Sequence, residues 1–280
     1  MANDFLEKNG VLQETVANTM LFPLWGRAFA SKLNPQILDD SEAIKIINSL
    51  NYDFSTMEKN FGEFGGICYI VRARVFDDII KKFIKEHPNA SIVNIGSGLD
   101  TTFSRIDNGS IHWYNLDLPE AIEFRKTLIP DSERNIAIPI SVFDFTWFKK
   151  IKFEPEKGIL FIAAGVFYYF KEDEIKKLFC AMSEQFPNGV MAFDVESKAA
   201  VRKSNSMVRK SGNKGAQMFF YVNNPDKFEK WSEKIKLLDV LPCFKSIQKD
   251  KKWKRSTRIF MVLSDALMMM KFIVLQFKGA

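Results

Sequence analysis

The chain has few of the residues from which metal sites and disulfide frameworks are built. Its 280 residues include three cysteines and two histidines. The cysteines lie far apart, at Cys68, Cys180 and Cys243, and form no CxxC pair. Closely spaced cysteines are the usual signature of a zinc site, and an even set in a short secreted chain indicates disulfides. We therefore expect no bound metal, no disulfide and a reducing, cytoplasmic location.

Long hydrophobic runs are also missing. The longest charge-free apolar run, residues 158–170, has 13 residues, whereas a helix that spans a bilayer needs about 20. A second apolar stretch, ALMMMKFIVLQF, is interrupted by Lys271 and indicates a buried element. The start, MANDFLEKNG, lacks the basic and apolar regions of a signal peptide. We expect no membrane among the partners, and the formal charge of +6 permits acidic partners without requiring them.

The order of the apolar patterns predicts an α/β protein. Residues 1–90 show helical spacing, clearest in YIVRARVFDDIIKKFIKEH, and Pro23 is expected to break the first helix. From residue 91, short apolar runs alternate with helical patterns, which is typical of a parallel sheet with helices on both faces. The predicted strands are SIVNI, IHWYNL, NIAIPISV, GILFIAA and NGVMAFDV, followed by a strand-like AQMFFYV and two late elements ending in KFIVLQF. The predicted domains are a helical extension over 1–90 and a core over 91–280.

The most informative stretch is IVNIGSGLDTTFSRI, residues 92–106. Gly96 and Gly98 follow a short buried strand and precede a helix for which Asp100 is a candidate cap. Glycines at such a position permit a sharp turn, and they also let a ligand approach the main chain closely. These residues alone leave both possibilities open.

A candidate ribose ligand ends the next predicted strand. Asp117 lies 21 residues beyond Gly96, close to the spacing at which an acidic side chain binds ribose hydroxyls in nucleotide-binding sheets. The alternative is that Asp117 caps the following helix. However, Pro119 favours the first helical position, which makes Leu118 the cap residue. We predict cofactor contacts from Gly96, Gly98, Asp117 and Leu118.

The glycine turn matches neither a dinucleotide site nor a P-loop. Thr101 stands where the dinucleotide fingerprint needs a third glycine, and no GK[ST] sequence follows. A nucleoside that carries a sulfonium amino acid has no phosphate and can dispense with that glycine. After the third strand, Asp144 and Phe145 form a candidate adenine clamp, with an acceptor for the exocyclic amine beside a stacking surface. The same two residues would also suit an ordinary strand end.

These motifs belong to a wider resemblance. The segments RARVFDDIIKKFI, NIGSGLDTTFSRIDNG, WYNLDLPEAIEFRKTL, FDFTW and AAGVFYYF resemble the leucine carboxyl methyltransferase family. The likeness is closest to its bacterial branch, named for a tetracenomycin polyketide O-methyltransferase, and covers nearly all of residues 11–240. It implies a class I methyltransferase fold, which is Rossmann-like with a mostly parallel seven-stranded sheet, plus an N-terminal helical lid. The implied cofactor is S-adenosylmethionine.

The resemblance also implies roles for individual residues. Arg72 would bind the methionyl carboxylate of the cofactor, and Asp144 and Phe145 would flank the adenine. The family's common acidic residue after the fourth strand is Ala164 here, which removes one polar contact near the amino acid part of the cofactor. Tyr169 matches the family tyrosine and is a weak candidate for a catalytic residue.

The predicted reaction is O-methylation of a small acceptor that is aromatic or polyketide-like. Methyl transfer from a sulfonium is an in-line displacement, so the chain must mainly align the reactants and exclude water. A carboxylate acceptor is already ionised and needs no base, which fits a chain whose His87 and His112 have no persuasive catalytic context. A phenol would need a base. The N-terminal helices and residues 197–224 are expected to form the lid and the acceptor pocket.

Two alternatives remain. A nucleic-acid methyltransferase or binder is suggested by KDKKWKR at 249–255 and by the basic stretch 198–214. A run of charge is usually a solvated face, so nucleic acid is not the expected partner. A protein that binds S-adenosylmethionine without catalysis is suggested by Ala164. The sequence does not predict the oligomeric state.

Overall fold

A computed structural model of the protein contains one seven-stranded sheet. It describes residues 16–55, 62–211 and 217–279. The strands are β1 (Ser91–Ile95), β2 (His112–Asp117), β3 (Asn135–Pro139), β4 (Ile159–Ala163), β5 (Val190–Glu196), β6 (Ile235–Pro242) and β7 (Met270–Phe277). They lie in the order β3-β2-β1-β4-β5-β7-β6. The neighbours from β3 to β5 are parallel, and β7 is antiparallel to β5 and β6. The predicted α/β class with a mostly parallel sheet is confirmed.

Eight α-helices surround this sheet in the described part of the chain. They are α1 (Val16–Leu33), α2 (Ser41–Ser49), α3 (Glu63–Glu86), α4 (Thr102–Ile106), α5 (Pro119–Leu128), α6 (Glu172–Gln185), α7 (Lys198–Ser211) and α8 (Arg255–Ala266). Leu118 is the N-cap of α5 and Pro119 opens the helix, as predicted. Asp40 caps α2 by accepting a hydrogen bond from the Ala43 amide.

The central strands are buried on both faces. Every residue of β1 and β4 is buried. Because side chains alternate along a strand, Val93 and Ile95 pack into one core while Ile92 packs into the core on the opposite face. Burial on both faces explains the continuous apolar runs in the sequence. It also leaves the carboxyl edge of the parallel strands as the place where polar residues collect.

The structure corrects several element boundaries. β3 ends at Pro139 and not at Val142, so Asp144 and Phe145 lie in the connection beyond the strand. Pro23 does not break α1, which continues to Leu33. The helix is held there by packing, since Leu21 and Leu24 on either side of the proline are fully buried. Residues 217–222 were expected to form a strand but lie outside the sheet.

The end of the chain contains three elements where two were expected. These are β6, α8 and β7, and the connection from 243 to 269 separates two strands that are neighbours in the sheet. Lys271 lies in β7 and is buried, in agreement with the buried element predicted there. Its ammonium group donates to the carbonyl oxygen of Met268 at 3.2 Å.

Parts of two expected segments lie outside the described residues. They are residues 1–15 and 56–61 of the helical extension and residues 212–216 of the predicted lid segment. Among the residues that are described, no helix combines the length and the hydrophobicity that crossing a membrane requires.

A buried ionic network joins the N-terminal helices to the turn after β1. The Asp40 carboxylate is fully buried and pairs with Arg27 of α1 at 3.0 Å and with Arg105 of α4 at 3.1 Å. The Thr101 hydroxyl also donates to Asp40, at 2.7 Å. Arg105 in turn forms two hydrogen bonds to Asp77 of α3. Arg105 of α4 is therefore paired directly with Asp40 and Asp77, and through Asp40 it is linked to Arg27 of α1.

The two carboxylates of this network differ in their pKa values. Burial raises the pKa of Asp40, but the charges of Arg27 and Arg105 and the Thr101 hydrogen bond outweigh it, so the pKa is lowered. At Asp77 burial is the largest effect, and the pKa is raised although Arg105 works against it. Asp40 is thus the carboxylate whose ionised form the fold stabilises more strongly.

Replacing this charge should destabilise the fold. Asp40→Asn keeps the size of the side chain but leaves buried positive charge without its partner, which typically costs about 3–5 kcal/mol of unfolding free energy. Because the folded pKa of Asp40 is lowered, its contribution is present above the unfolded pKa of about 3.9 and is lost as the pH falls through the folded value. Urea denaturation at neutral pH measures the loss.

Asp78→Asn is the matched control. It removes an exposed carboxylate that pairs with Arg74 at 2.9 Å within α3, and such pairs contribute about 0–1 kcal/mol. An Asp40→Asn loss no larger than that of the control would contradict the importance of the buried network.

Candidate cofactor site

The turn between β1 and α4 requires its glycines. Gly96 and Gly98 have positive φ angles of 62° and 44°, a backbone conformation that glycine adopts without strain. A Cβ atom on Gly96 would also lie 2.5 Å from Cγ2 of Val166, in the loop after β4. A Cβ atom on Gly98 would lie 3.7 Å from Met20, an ordinary contact. Gly96 therefore lets the turn pack closely against the β4 loop.

Buried arginines hold the carbonyl groups of this turn. Arg27 donates to the carbonyl oxygen of Leu99 at 3.0 Å. Arg125 of α5 donates to those of Gly98 and Asp100 at 2.8 and 2.9 Å. Burial lowers the pKa of Arg125 to about 10, so it remains charged at neutral pH. Three successive carbonyl groups are therefore fixed by cations from the surrounding helices.

The Asp100 side chain completes the turn. Its carboxylate accepts hydrogen bonds from the Asn94 amide at 2.9 Å and from the Thr102 backbone amide at 3.3 Å. It also accepts one from the Thr102 hydroxyl. The residue in the N-cap position is Thr101, one place later than predicted, but Asp100 does bind the first amide of the helix.

Asp117 connects the end of β2 to the glycine turn. One of its carboxylate oxygens accepts from the Gly98 amide at 2.7 Å and the other from the Leu118 amide at 2.8 Å. Burial raises the pKa of Asp117, and the two backbone hydrogen bonds partly offset that effect. Because a carboxylate oxygen can accept two hydrogen bonds, each retains capacity for a ligand hydroxyl. Leu118 is 45% exposed beside it.

Arg72 projects from α3 towards the ends of β4 and β5. Its side chain is 21% exposed, and its Nη1 atom lies 3.7 Å from the Asp194 carboxylate. At that distance the two groups form an ion pair without a hydrogen bond. The guanidinium carbon lies 5.2 Å from the centre of the Tyr69 ring. A Cβ atom on Gly165 would come within 2.8 Å of Nη1, so glycine leaves the space that the guanidinium occupies.

Asp194 is a fully buried carboxylate in β5. It accepts hydrogen bonds from the Gly165 amide and from the Tyr168 hydroxyl, both at 2.6 Å. Burial lowers the pKa of Arg72, but the charge of Asp194 outweighs it and the pKa is raised, so Arg72 stays cationic. Burial and Asp194 together raise the pKa of Tyr168 well above its usual value. Tyr168 therefore stays protonated and acts as a donor.

These contacts form a continuous row along the carboxyl edge of the sheet. Arg72 borders Gly165, the adjacent Val166 packs on Gly96, and the turn is bonded to Asp117 through Gly98. We call this the site row. It brings together four residues that the sequence predicted, namely Arg72, Gly96, Gly98 and Asp117. Ala164, directly before Gly165, is exposed next to it.

Asp144 and Phe145 are not joined to the site row. The Asp144 carboxylate accepts from the Thr146 amide at 3.1 Å and caps the 3₁₀ helix Phe145–Lys150. The Phe145 ring is 37% exposed and stacks on Phe148 with ring centres 5.3 Å apart. Among the described hydrogen bonds and ring contacts, none links either residue to the site row.

A second carboxyl group and two tyrosines surround Arg72. Glu196 is the last residue of β5, on the same face as Asp194, and accepts a hydrogen bond from the Ser204 hydroxyl of α7 at 3.1 Å. Burial raises the pKa of Glu196. Tyr169 is 41% exposed, and burial raises its pKa and that of Tyr69, with Arg72 acting in the opposite direction at both.

The sequence analysis missed Asp194 and Glu196. Both lie in VMAFDVE, where two acidic residues alternate in an otherwise apolar strand. A charged residue in a strand that is buried on both faces is informative, because a buried charge needs a partner. That signal was present in the sequence.

Changing Asp194 should weaken the fold at this position. In Asp194→Asn an amide replaces an acceptor-only group that faces two donors and a cation. One of the donors then loses its partner, at a cost of about 1–3 kcal/mol. Asp239→Asn on β6 is the control, because the Asp239 carboxylate is exposed and its one hydrogen bond among the described residues is from the neighbouring Val240 amide. Urea denaturation should show a clear loss for the first variant alone, and equal stability would argue against the Asp194 contacts.

Comparison with known proteins gives a consistent result. The model of the leucine carboxyl methyltransferase family matches residues 21–183, more than half of the chain. The chain is 25% identical over 217 residues to the tetracenomycin polyketide synthesis O-methyltransferase TcmP of Streptomyces glaucescens, covering 76% of this chain and 78% of that protein. It is 22% identical over 248 residues to the S-adenosyl-L-methionine-dependent methyltransferase dpfgK of Gibberella zeae, covering 82% and 83%.

A solved structure shares the fold. The crystal structure of an S-adenosylmethionine-dependent methyltransferase from Anabaena variabilis superposes with a TM-score of 0.51 at 12% identity, covering 74% of this chain and 85% of that one. The seven-stranded, mostly parallel sheet agrees with the fold that the resemblance implied. The chain belongs to the leucine carboxyl methyltransferase family and is an S-adenosylmethionine-dependent methyltransferase with the class I fold.

Proposed function

We propose that the enzyme methylates an oxygen atom of a small acceptor that is aromatic or polyketide-like, in the cytoplasm. The observation that carries the proposal is the site row, in which a cation, a glycine turn and a carboxylate follow one another along the carboxyl edge of the sheet. Ligands of open parallel sheets bind at that edge. The printed description of TcmP, an O-methyltransferase of polyketide synthesis, supports the choice of acceptor.

In this proposal Arg72 binds the methionyl carboxylate of the cofactor. A guanidinium is the natural bidentate partner of a carboxylate. The 3.7 Å separation from Asp194 leaves the guanidinium N–H groups available, while the negative charge keeps Arg72 ionised in a half-buried position. Arg72 and its surroundings therefore fit the methionyl carboxylate of the cofactor.

Asp117 and the glycine turn bind the nucleoside in the same proposal. The remaining acceptor positions of Asp117 take the ribose hydroxyls, and Gly96, Gly98 and Leu118 lie along the adjoining main chain. Asp144 and Phe145 remain the proposed adenine contacts, supported by an exposed ring on the connection after β3, the strand next to β2. Ala164 borders the amino acid end and offers no polar side-chain contact.

When bound, S-adenosylmethionine supplies an electrophilic methyl group, so the residues of the chain must mainly position the acceptor oxygen and exclude water. We propose that residues 1–90 act as the lid and that 197–224 contribute the acceptor pocket. Contacts of α1 with the turn support this, since Arg27 bonds Leu99 and Met20 lies over Gly98. α7 meets the site through the hydrogen bond from Ser204 to Glu196.

Glu196 changes the balance between the two acceptor chemistries. If the chain supplied no general base, a carboxylate acceptor would be favoured over a phenol, because the carboxylate is already ionised. Glu196 lies beside Arg72 and Tyr169 at the end of β5, and one of its carboxylate oxygens has no described hydrogen-bond partner. Its raised pKa makes it a better proton acceptor than an ordinary glutamate. This observation supports a phenolic hydroxyl as the second candidate acceptor, with Glu196 as general base.

The test of the cofactor site compares two neighbouring arginines. Arg72→Ala removes the partner of a half-buried carboxylate, which typically costs on the order of 3–5 kcal/mol and should abolish measurable binding of S-adenosylhomocysteine. Arg72→Lys should also weaken binding, because an ammonium group lacks the coplanar N–H donors with which a guanidinium bonds both carboxylate oxygens. Isothermal titration calorimetry measures both, with thermal melts to confirm folding.

Arg74→Ala is the control two positions along the same helix. Arg74 points away from the site, is 43% exposed and pairs with Asp78. Its removal should leave the affinity for S-adenosylhomocysteine unchanged. If Arg74→Ala proves the more damaging change, Arg72 is not the carboxylate ligand.

The pH dependence of activity separates the acceptor chemistries. With a phenolic acceptor, the rate should rise with pH through the pKa of Glu196, which lies above the usual glutamate value. Glu196→Gln should remove this rise of the rate with pH and lower the rate by about 10²–10⁴-fold. With a carboxylate acceptor the same variant should keep most of its rate.

Product formation from labelled S-adenosylmethionine, measured with paired aromatic acids and phenols, provides the readout. Glu229→Gln is the control, because Glu229 is exposed and, within the part of the chain that the structure describes, its carboxylate accepts a hydrogen bond from the Leu237 amide alone. If neither acceptor class is methylated, the proposed acceptor is wrong. An unchanged pH profile in Glu196→Gln with a phenol would rule out Glu196 as the base.

A further inference from the structure

α8 lies in a connection that the sheet does not need. β6 and β7 are antiparallel neighbours, and such strands can be joined by a two-residue hairpin. Here residues 243–269 separate them and include the twelve residues of α8. The connection is therefore much longer than the pairing of the two strands requires.

The outer face of α8 is apolar and exposed. The helix buries Thr257, Met261 and Ser264 against the protein. On its other side five large apolar residues are between 46% and 66% exposed, namely Ile259, Phe260, Val262, Leu263 and Leu267. A contiguous exposed apolar patch of this kind marks an interaction site. Its outer face is therefore suited to a contact outside the fold.

Unpaired cations border this apolar face. Lys249, Lys251, Lys252, Lys254 and Arg255 are exposed, and Arg258 lines a shallow groove with Ile259, Val262 and Leu263. None of these six forms an ion pair with a carboxylate among the described residues. Three nearby carboxylates, Glu63, Asp250 and Asp265, accept hydrogen bonds from backbone amides. We call these cations and the exposed face of α8 the basic-apolar surface.

We propose that the basic-apolar surface binds the surface of an anionic lipid bilayer, with α8 lying in the plane of the interface. An apolar helical face beside several lysines and arginines is the pattern of helices that rest on membranes. The apolar residues enter the boundary between headgroups and acyl chains, and the cations contact anionic headgroups. The chain would lie on the bilayer without crossing it, which revises the expectation that a membrane is not among its partners.

Two other occupants fit the observations less well. A second copy of the chain would bring the same unpaired cations to the interface, and like charges oppose close approach. Single-stranded nucleic acid is bound by cations together with aromatic rings on which bases stack. The exposed face of α8 offers one aromatic residue, Phe260, among four aliphatic ones. Charge and apolar area together favour lipid.

The basic-apolar surface also adjoins the proposed acceptor pocket. The ammonium group of Lys203, in α7, lies 5.6 Å from the centre of the Phe260 ring. The start of α3 is in contact as well, with the Phe64 and Phe260 rings 5.9 Å apart. Lipid binding would therefore hold that side of the enzyme at the bilayer. The inference does not depend on which acceptor is methylated.

Co-sedimentation with vesicles tests the proposal. The full chain should pellet with vesicles of phosphatidylcholine and phosphatidylglycerol, bind vesicles of phosphatidylcholine alone far more weakly, and release as salt increases. Ile259→Ser combined with Leu263→Ser should reduce binding about tenfold or more, as should Lys251→Glu combined with Lys254→Glu. Thermal melts check that these surface variants fold.

Matched controls change the same residue types elsewhere. Leu238→Ser removes an apolar residue that is 45% exposed on β6, and Lys149→Glu with Lys150→Glu reverses two exposed charges on another face. Neither should alter vesicle binding. No pelleting, equal pelleting with both vesicle types or equal losses in the controls would overturn the proposal.

Two further measurements address the other occupants. A dimer in analytical ultracentrifugation that Ile259→Ser with Leu263→Ser converts to a monomer would show that a second copy covers the face. Binding of labelled single-stranded RNA that the lysine variant abolishes, without vesicle binding, would show a nucleic-acid surface. Either result would contradict the lipid proposal. A monomer that pellets with anionic vesicles and does not bind RNA would support it.

Discussion

The Asp40 carboxylate, fully buried between the guanidinium groups of Arg27 and Arg105, is the interaction on which the geometry of the site depends. A buried charge is tolerated only with its partners in place, so the helices that supply them must dock together or not at all. Arg27 also bonds the carbonyl oxygen of Leu99. The same guanidinium therefore sets the position of α1 and the shape of the glycine turn, which couples the N-terminal helices to the site.

The other end of the site row follows the same physical rule with a different carboxylate. Asp194 is buried near the carboxyl end of β5 and accepts hydrogen bonds from the Gly165 amide and the Tyr168 hydroxyl. Its charge is then available to hold Arg72 at 3.7 Å without using the N–H groups of the guanidinium. Asp40 is saturated by cations and serves the structure. Asp194 is bonded by neutral donors, and its charge lies beside the Arg72 guanidinium without a hydrogen bond between them.

The parts of the molecule that could be predicted are those set by local sequence. β1 and α5 have the predicted bounds because neighbouring residues mark them. A short buried run marks β1, and a cap residue followed by a proline marks the start of α5. The helical period also places Arg72 and Arg74 on different sides of α3, and Arg74 pairs with the exposed Asp78. The missed features depend on distant partners. Pro23 stays helical through tertiary packing, and Asp194 gains its role from Arg72, more than a hundred residues earlier. The place of Asp144 depended on where β3 ends, which its apolar pattern did not fix.

The loss of the family's acidic residue at Ala164 is best judged from the charges around it. A half-buried guanidinium needs a nearby negative charge, and a carboxylate at position 164 would be one way to supply it. In this chain Asp194 already does so from the adjacent strand, and it is bonded to the amide of Gly165, the residue after Ala164. Arg72 therefore remains ionised and positioned without an acid at 164. What Ala164 removes is a polar contact on the exposed side of the β4 loop, while Glu196 at the end of β5 places a second carboxyl group near Arg72. In this chain the negative charge beside Arg72 is therefore carried by β5.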